Sequence, residues 1–287
     1  MSDTLPTTER SNPASADLGS RSTREILELM NAEDASVPDA VGAELASIER
    51  AVAAIVDRLR DGGRLVYLGA GTSGRIAAME AAEAPPTFGV APETVVGVIA
   101  GGSGAVQSAR EGAEDDDAAG ATAVAALDVA GRDVVVGVTA SGATRFVIGA
   151  VREAAARGAL TIGVCSDADA PLNAAVDVAI CPVVGPEVVT GSTRLKAGTA
   201  AKLVLNMLTT AAMVRLGHVH GNLMVDVQAT NAKLRDRARR IVTEVTGSPP
   251  DEVRAALEAS GWSARAAIDR IRGEGSQAAR PGRSDDR

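Results

Sequence analysis

Aromatic residues are almost missing from this sequence, which has one Trp, one Tyr and two Phe in 287 residues. The core must therefore be built from small aliphatic side chains, because Ala, Val, Gly and Leu dominate the chain. Such side chains are typical of proteins in which helices pack closely on a parallel sheet. The length suits one large domain, or one domain with a small additional module.

Cysteine, positive charge and long apolar runs are also scarce. Only Cys165 and Cys181 are present, so we expect no disulfide framework and a cytoplasmic location. The formal net charge of −8 disfavours non-specific binding to nucleic acid. No apolar run has the length expected of a membrane span, and the polar N-terminus lacks the apolar core of a signal sequence. These absences predict a protein with neither a nucleic-acid partner nor a membrane partner.

Short apolar runs alternate with helical patterns through most of the chain. The predicted strands are Leu65–Leu68, Val95–Ala100, Val134–Thr139, Leu160–Cys165 and Val178–Cys181. The predicted helices are Thr23–Asn31, Asp39–Arg60, Ser73–Glu83, Ala105–Ala113, Asp115–Ala125, Ala143–Arg157, Gly198–Leu216 and Val227–Val245. This alternation predicts an α/β protein with a mainly parallel sheet flanked by helices on both faces, a Rossmann-like three-layer sandwich.

The two ends of the chain differ in composition from this middle part. Residues 1–22 are polar and aperiodic, which predicts a flexible arm before a domain at 23–246. After the break at Gly247–Pro250, residues 247–272 show short amphipathic segments around Trp262 and resemble a small ubiquitin-associated (UBA-like) helical module. Residues 273–287 are polar and predict a disordered tail.

The most informative stretch is the turn Gly69–Gly74 between the first predicted strand and its helix. A helix start with free N–H groups and small residues binds anions, and Thr72 and Ser73 add hydroxyl donors. The turn also matches the G-x-G-x-x-G dinucleotide pattern. In dinucleotide-binding proteins this motif is accompanied by an acidic residue at the end of the next strand. Here the next strand is followed by Gly101-Gly102-Ser103, which contains no acid. The missing acid makes a nucleotide site the weaker interpretation.

A second turn of the same design follows the strand Val134–Thr139. Its residues 140–144 again combine glycine and hydroxyl side chains before a helix. These Ser and Thr residues could be ordinary helix caps, but two such turns favour phosphate binding. Together they resemble the sugar isomerase (SIS) fold, which binds phosphosugars. The predicted substrate contacts are Gly71, Thr72, Ser73, Ser141, Gly142 and Thr144.

Two groups of carboxylates are candidates for chemistry. Glu83 is expected to end its helix, because Pro85 disfavours helical geometry at Ala84. A dry position there would suit a general acid, although an ordinary solvated glutamate is the simpler alternative. The acidic run 111–117 contains Glu114; it could be a solvated loop with a helix cap, or one member could face the sugar. Its spacing does not fit a calcium loop.

Several motifs in matching order resemble one enzyme family over about residues 8–272. They are 8–13 (TERSNP), 29–34 (LMNAED), 69–75 (GAGTSGR), 82–89 (AEAPPTFG), 111–115 (EGAED) and 229–235 (ATNAKLR). These stretches are similar to N-acetylmuramic acid (MurNAc) 6-phosphate etherases. Two local departures, Ala84 and the stretch 143–145, affect the shape of the sugar pocket and leave the glutamates in place.

The resemblance implies a cytoplasmic, homodimeric carbon–oxygen lyase of amino sugar catabolism and peptidoglycan recycling. It would release D-lactate from MurNAc 6-phosphate without a metal or a nucleotide cofactor. It assigns Glu83 as the acid/base residue and Glu114 as the second active-site glutamate. A non-catalytic phosphosugar regulator of SIS type and an aldose–ketose isomerase are the alternatives.

One geometric expectation follows from the position of Glu83. Ser73 and Glu83 are ten residues apart, or about 15 Å along one helix, which is too far for one sugar phosphate to bridge. We therefore expect either that the phosphate lies on the turn around Ser141, or that a second subunit completes the site.

Overall fold

A computed structural model describes residues 5–108 and 110–273 of the chain. The described chain forms two compact units. The first comprises residues up to Ala84 together with Ala91–Leu216, and the second comprises Pro85–Val90 and the residues from Gly217 onward. Each unit has a core of its own, and the candidate site lies in the first.

A five-stranded parallel sheet forms the centre of the first unit. Its strands are β1 (Leu65–Gly69), β2 (Val95–Ile99), β3 (Val134–Val138), β4 (Leu160–Val164) and β5 (Val178–Ile180). Their order in the sheet is β2-β1-β3-β4-β5. The pairs β1–β2 and β1–β3 start in register, with Leu65 beside Val95 on one side and beside Val134 on the other. The predicted strands and the predicted parallel pairing are confirmed.

Helices cover both faces of this sheet. The α-helices of the described residues are α1 (Thr23–Asp34), α2 (Val37–Gly42), α3 (Leu45–Arg60), α4 (Gly71–Phe88), α5 (Asp117–Ala126), α6 (Arg145–Ala156), α7 (Lys196–Arg215), α8 (Ala232–Thr246), α9 (Pro250–Ala259) and α10 (Ala264–Ile271). Because successive strand residues point to opposite faces, β1 contributes to two layers. Val66 and Leu68 pack with residues of α5 and α6, whereas the Tyr67 hydroxyl is 2.8 Å from the Thr209 hydroxyl of α7. The predicted three-layer class is confirmed.

Helix α4 is longer than predicted. It continues to Phe88 although Pro85 and Pro86 lie inside it, so the expected end near Glu83 is wrong. Each proline removes one backbone donor, but Phe88 in the last turn is buried, and that burial offsets the loss. Glu83 therefore lies within the helix and not at its terminus.

Two other predicted helices also differ, and glycine explains both. The segment predicted as a helix at Ala105–Ala113 contains the end of one 3-10 helix, Ser103–Val106, and the start of another, Ala113–Asp115. Gly104 and Gly112 weaken any α-helix there, and Gly112 has a positive φ of 77°. The predicted helix 39–60 is divided into α2 and α3 after Gly42 for the same reason.

Helix α7, with 20 residues, is the longest helix of the described residues. It is long and apolar enough to cross a membrane by length and composition, a property that our sequence expectation overlooked. More than half of the relevant window is buried, however, and Val204, Leu205 and Leu208 are fully buried in the core. These contacts are those of a central core helix.

The N-terminal segment is packed against the first unit. Three 3-10 helices span Thr7–Glu9, Pro13–Ser15 and Leu18–Ser20. The Asn12 side chain donates to Glu33 at 2.9 Å and to the Pro186 carbonyl at 3.2 Å. These contacts argue against a flexible arm at residues 5–22.

The second unit is built from α8, α9 and α10. Buried residues of all three helices form one cluster, which includes Ile241, Leu257 and Ile268. Asn231 caps α8 by accepting from Leu234, so this helix begins five residues later than predicted. Because α8 shares this core, the unit begins before residue 247, the predicted module boundary. The tail predicted at 273–287 lies outside the described residues except for Gly273.

Candidate active site

Two strand ends meet at the carboxyl edge of the sheet. The chain passes from β1 to β2 on one side and then crosses to β3 on the other, so β1 and β3 are neighbours at a reversal of strand order. Ligands of open α/β sheets bind at such a reversal, outside the carboxyl ends of the strands. The turn after β1 and the turn after β3 therefore face one site.

The turn after β1 requires glycine because strand and helix approach closely. A Cβ on Gly69 would lie 2.8 Å from the Gly74 nitrogen, and a Cβ on Gly74 would lie 2.6 Å from the Gly69 carbonyl oxygen. Gly71 has a φ of +53° and begins α4. The glycines thus bring the start of α4 directly over the end of β1.

The turn after β3 is shaped by Gly142, with a φ of +66°. A Cβ at this position would lie 2.3 Å from the Ala170 Cβ, so only glycine fits. Gly142 is buried beneath the turn and does not line the cavity described next, in contrast to its predicted substrate contact. Its role in the structure is to turn the chain so that Ser141 and Thr144 face outward.

A cavity of about 380 Å³ opens between the two turns. Five of the six predicted substrate contacts line it, together with Glu114. The full set is Glu9, Ala70, Gly71, Thr72, Ser73, Glu114, Asp115, Thr139, Ala140, Ser141, Ala143, Thr144, Gly191 and Thr193. The volume is that of a typical small-molecule site.

The cavity walls favour an anion on one side. The first turn of α4 presents backbone N–H groups, and the helix dipole adds partial positive charge there. In the described chain, the hydroxyls of Thr72 and Ser73 make no hydrogen bond to protein, so they are not occupied as helix caps. Ser141 is used more locally, since its hydroxyl accepts from the Ala143 nitrogen at 3.3 Å. This combination suits a phosphate group.

A smaller cavity of about 170 Å³ adjoins the first. The two share Ala70, Gly71 and Glu114, and the smaller one is also lined by Arg75 and Arg110. Two guanidinium groups next to the turn after β1 add positive charge to this part of the site.

Glu114 lies in the wall that the two cavities share. It lies in the 3-10 helix Ala113–Asp115, exposed and lining both cavities. Asp116, two residues further, accepts from the Ala119 nitrogen and caps α5. The acidic run thus contains both alternatives that the sequence left open, a helix cap and an acid that faces the site.

Glu83 lies elsewhere. Its side chain is 64% exposed, lines neither cavity, and has an oxygen 3.6 Å from the Lys202 Nζ. Lys202 is held more closely by the nearly buried Glu80, at 2.7 Å. Glu83 is therefore the solvated glutamate that the sequence offered as the simpler alternative, and within one chain the two glutamates do not line a common cavity.

Glu9, Gly191 and Thr193 line the cavity but are not among the six substrate contacts predicted from the sequence. Gly191 and Thr193 precede α7, and a Cβ on Gly198 of α7 would be in ordinary contact with the Thr72 methyl group, 3.5 Å away. The hydroxyl residues before α7 are a possible signal of a substrate contact, but spacing alone does not distinguish that role from a helix cap. In the described residues, no group of three or more His, Cys, Asp or Glu is arranged to hold a metal ion.

The fold and the site together define a SIS-domain protein. Residues 117–211 match the SIS domain, and residues 47–155 match the glucokinase regulatory protein N-terminal SIS domain. The fold is similar to phosphoheptose isomerase GmhA from Neisseria gonorrhoeae, with a TM-score of 0.52 and 21% identity over 67% of this chain and 98% of that chain.

Closer relatives specify the family. A protein of Rubrobacter xylanophilus is 55% identical over 91% of this chain and 87% of its own length, and one of Streptomyces avermitilis is 53% identical over 96% and 89%. Both are named N-acetylmuramic acid 6-phosphate etherase. The chain belongs to this etherase family, which confirms the resemblance found in its motifs.

Proposed function

We propose that this protein cleaves the C3 D-lactyl ether of MurNAc 6-phosphate and yields GlcNAc 6-phosphate and D-lactate. The observation that carries this proposal is the cavity of about 380 Å³, which combines two hydroxyl-rich turns with Glu114. Relatives that are 53–55% identical and bear the etherase name support the substrate assignment.

The phosphate group fits the turn side of the cavity. Backbone N–H groups at the start of α4, with the hydroxyls of Ser73 and Ser141, are suitable donors for its oxygens. Anchoring the 6-phosphate there places the sugar toward Glu114. The remaining volume is enough for a monosaccharide.

The chemistry requires a base and an acid because the ether oxygen is a poor leaving group. In the ring-opened sugar the C1 aldehyde acidifies the C2 proton, and a carboxylate removes it to give an enolate-like species. Expulsion of lactate, with protonation of its ether oxygen, leaves a C2–C3 double bond. Water then adds its oxygen to C3 and a proton to C2, which restores the aldehyde sugar. We assign these proton transfers to Glu83 and Glu114 jointly.

The role proposed for Glu83 requires it to enter the site from another chain. Within one protomer it is about 15 Å along α4 from Ser73 and lines neither cavity. We therefore propose a cytoplasmic homodimer in which Glu83 of the partner subunit completes the cavity that contains Glu114. The high exposure of Glu83 in the single chain is consistent with this role.

The test is to incubate the protein with MurNAc 6-phosphate and to measure D-lactate enzymatically. We expect release by the wild type and loss of release in Glu83→Ala, with GlcNAc 6-phosphate binding retained in calorimetry. Glu93→Ala, at an exposed glutamate away from both cavities, is the matched control. An isomerase would instead form a ketose phosphate, and a regulator would bind the phosphosugar without any product; either result would contradict the proposal.

A further inference from the structure

A third carboxylate, that of Glu9, lines the main cavity. Glu9 ends the 3-10 helix Thr7–Glu9 and shares the cavity wall with Ser73, Glu114 and Ser141. Its Oε2 atom lies over Gly191, and a Cβ built on that glycine would be only 3.3 Å from this oxygen. The bare glycine therefore leaves space for the Glu9 carboxylate at the cavity wall.

The backbone around Glu9 is held on both sides. The Thr7 nitrogen donates to the Asp167 carboxylate at 2.6 Å, and Thr8 is fully buried. Downstream, Asn12 donates to Glu33, which is paired with the buried Lys196 Nζ at 2.5 Å at the start of α7. The hydrogen bond from Lys196 holds the pKa of Glu33 below its usual value, so this anchor is charged at neutral pH. The backbone at Glu9 is thus positioned before any ligand binds, so only the Glu9 side chain has to be ordered on binding.

The Glu9 side chain itself takes no part in this anchoring. Its carboxylate is exposed and has no hydrogen-bond or ion-pair partner within residues 5–108 and 110–273. A carboxylate is an acceptor only, so a ligand in this cavity must supply donors if it is to contact Glu9 favourably.

We propose that Glu9 binds the sugar part of the phosphosugar by accepting hydrogen bonds from its hydroxyl or amide N–H groups. The inference rests on the proposed function for the identity of the ligand. The phosphate and the lactyl carboxylate of the substrate are both anions and are repelled by Glu9, so neutral donors are its favourable partners. Glu9 is then a specificity-determining residue that favours a phosphosugar over a bare phosphate ion.

The experiment compares two ligands in Glu9→Ala and Glu9→Gln. We expect the KM for MurNAc 6-phosphate to rise about tenfold or more in Glu9→Ala, the effect of losing hydrogen bonds to a charged acceptor, and less in Glu9→Gln. The inhibition constant of inorganic phosphate should stay constant or fall, because each variant removes a repelling charge. Glu93→Gln is the control and should change neither value.

The different responses of the two ligands separate this role from others. An unchanged KM would overturn the inference and make Glu9 a solvated residue at the rim. Weaker binding of both ligands with a lower melting temperature would also overturn it and assign Glu9 a structural role. Calorimetry with GlcNAc 6-phosphate keeps the two proposals distinct. If the wild type releases no D-lactate but Glu9→Ala still weakens this binding, the proposed function fails and the inference on Glu9 stands.

Discussion

The two edges of the central sheet use their polar groups in opposite ways. At the amino edge, Asp133 precedes β3 with a side chain that is 1% exposed, and it accepts from the Arg64 and Ala130 nitrogens and from the Arg64 guanidinium. At the carboxyl edge, the hydroxyls of Thr72 and Ser73 make no hydrogen bond in the described chain.

This difference separates stability from function. A buried carboxylate with several donors stabilises the fold only while all its partners are present. Half-buried hydroxyls without a hydrogen bond, such as those of Thr72 and Ser73, add little to the fold and are free to bind a ligand. Variants at the amino edge should therefore change the free energy of unfolding, and variants at the carboxyl edge should change ligand affinity.

The largest effect is expected at the amino edge. Asp133→Asn should lower the free energy of unfolding by about 3 kcal/mol, because it leaves the Arg64 charge without its partner. Denaturant titration measures this change. Asp169→Asn, at an exposed position, is the control. A change in the KM of Asp133→Asn for MurNAc 6-phosphate, measured at a temperature where the variant is folded, would contradict the proposal that the amino edge affects only stability.

A smaller effect is expected at the carboxyl edge. Ser73→Ala and Ser141→Ala should each weaken GlcNAc 6-phosphate binding about tenfold, the loss of one hydrogen bond to a charged group. Calorimetry measures the affinity and a melting curve measures stability. If the serines were merely helix caps, the melting temperature would fall and the affinity would not change.

The smallest expected effect is the change with pH of the stability that Asp133 contributes at the amino edge. Burial alone would raise the pKa of Asp133, but the hydrogen bonds from Arg64 and from backbone nitrogens outweigh it and lower the pKa. A carboxylate with a lowered folded-state pKa contributes its stability above its unfolded pKa of about 4, and loses it as pH falls through the folded value. The stability difference between wild type and Asp133→Asn should thus be constant near pH 7 and shrink below about pH 4. An unchanged difference at pH 3 would contradict this account.

Much of this organisation could be predicted from particular residues. The five strands followed from β-branched runs such as Val134–Val138, and the two turns that line the cavity followed from glycine and hydroxyl spacing. The end of α4 could not be predicted in this way, because the burial of Phe88 outweighs the local preference of Pro85 against a helix. Local preferences yield where tertiary packing opposes them.

Glu9 shows a different limit of prediction. It lies in a polar segment without periodicity, and its place at the cavity depends on hydrogen bonds to Asp167 and, through Asn12, to Glu33. These partners are up to 160 residues distant in sequence. No local pattern signals such a contact, although the motif around Glu9 was part of the family resemblance.

The most direct test of the shared site uses two inactive variants. Glu83→Gln and Glu114→Gln, carried on differently tagged chains, are co-expressed, and the doubly tagged dimers are purified and assayed for D-lactate release. If each site takes Glu114 from one subunit and Glu83 from the other, these mixed dimers contain one intact site and should recover about half of the wild-type activity. Mixed dimers as inactive as either variant alone would contradict the account.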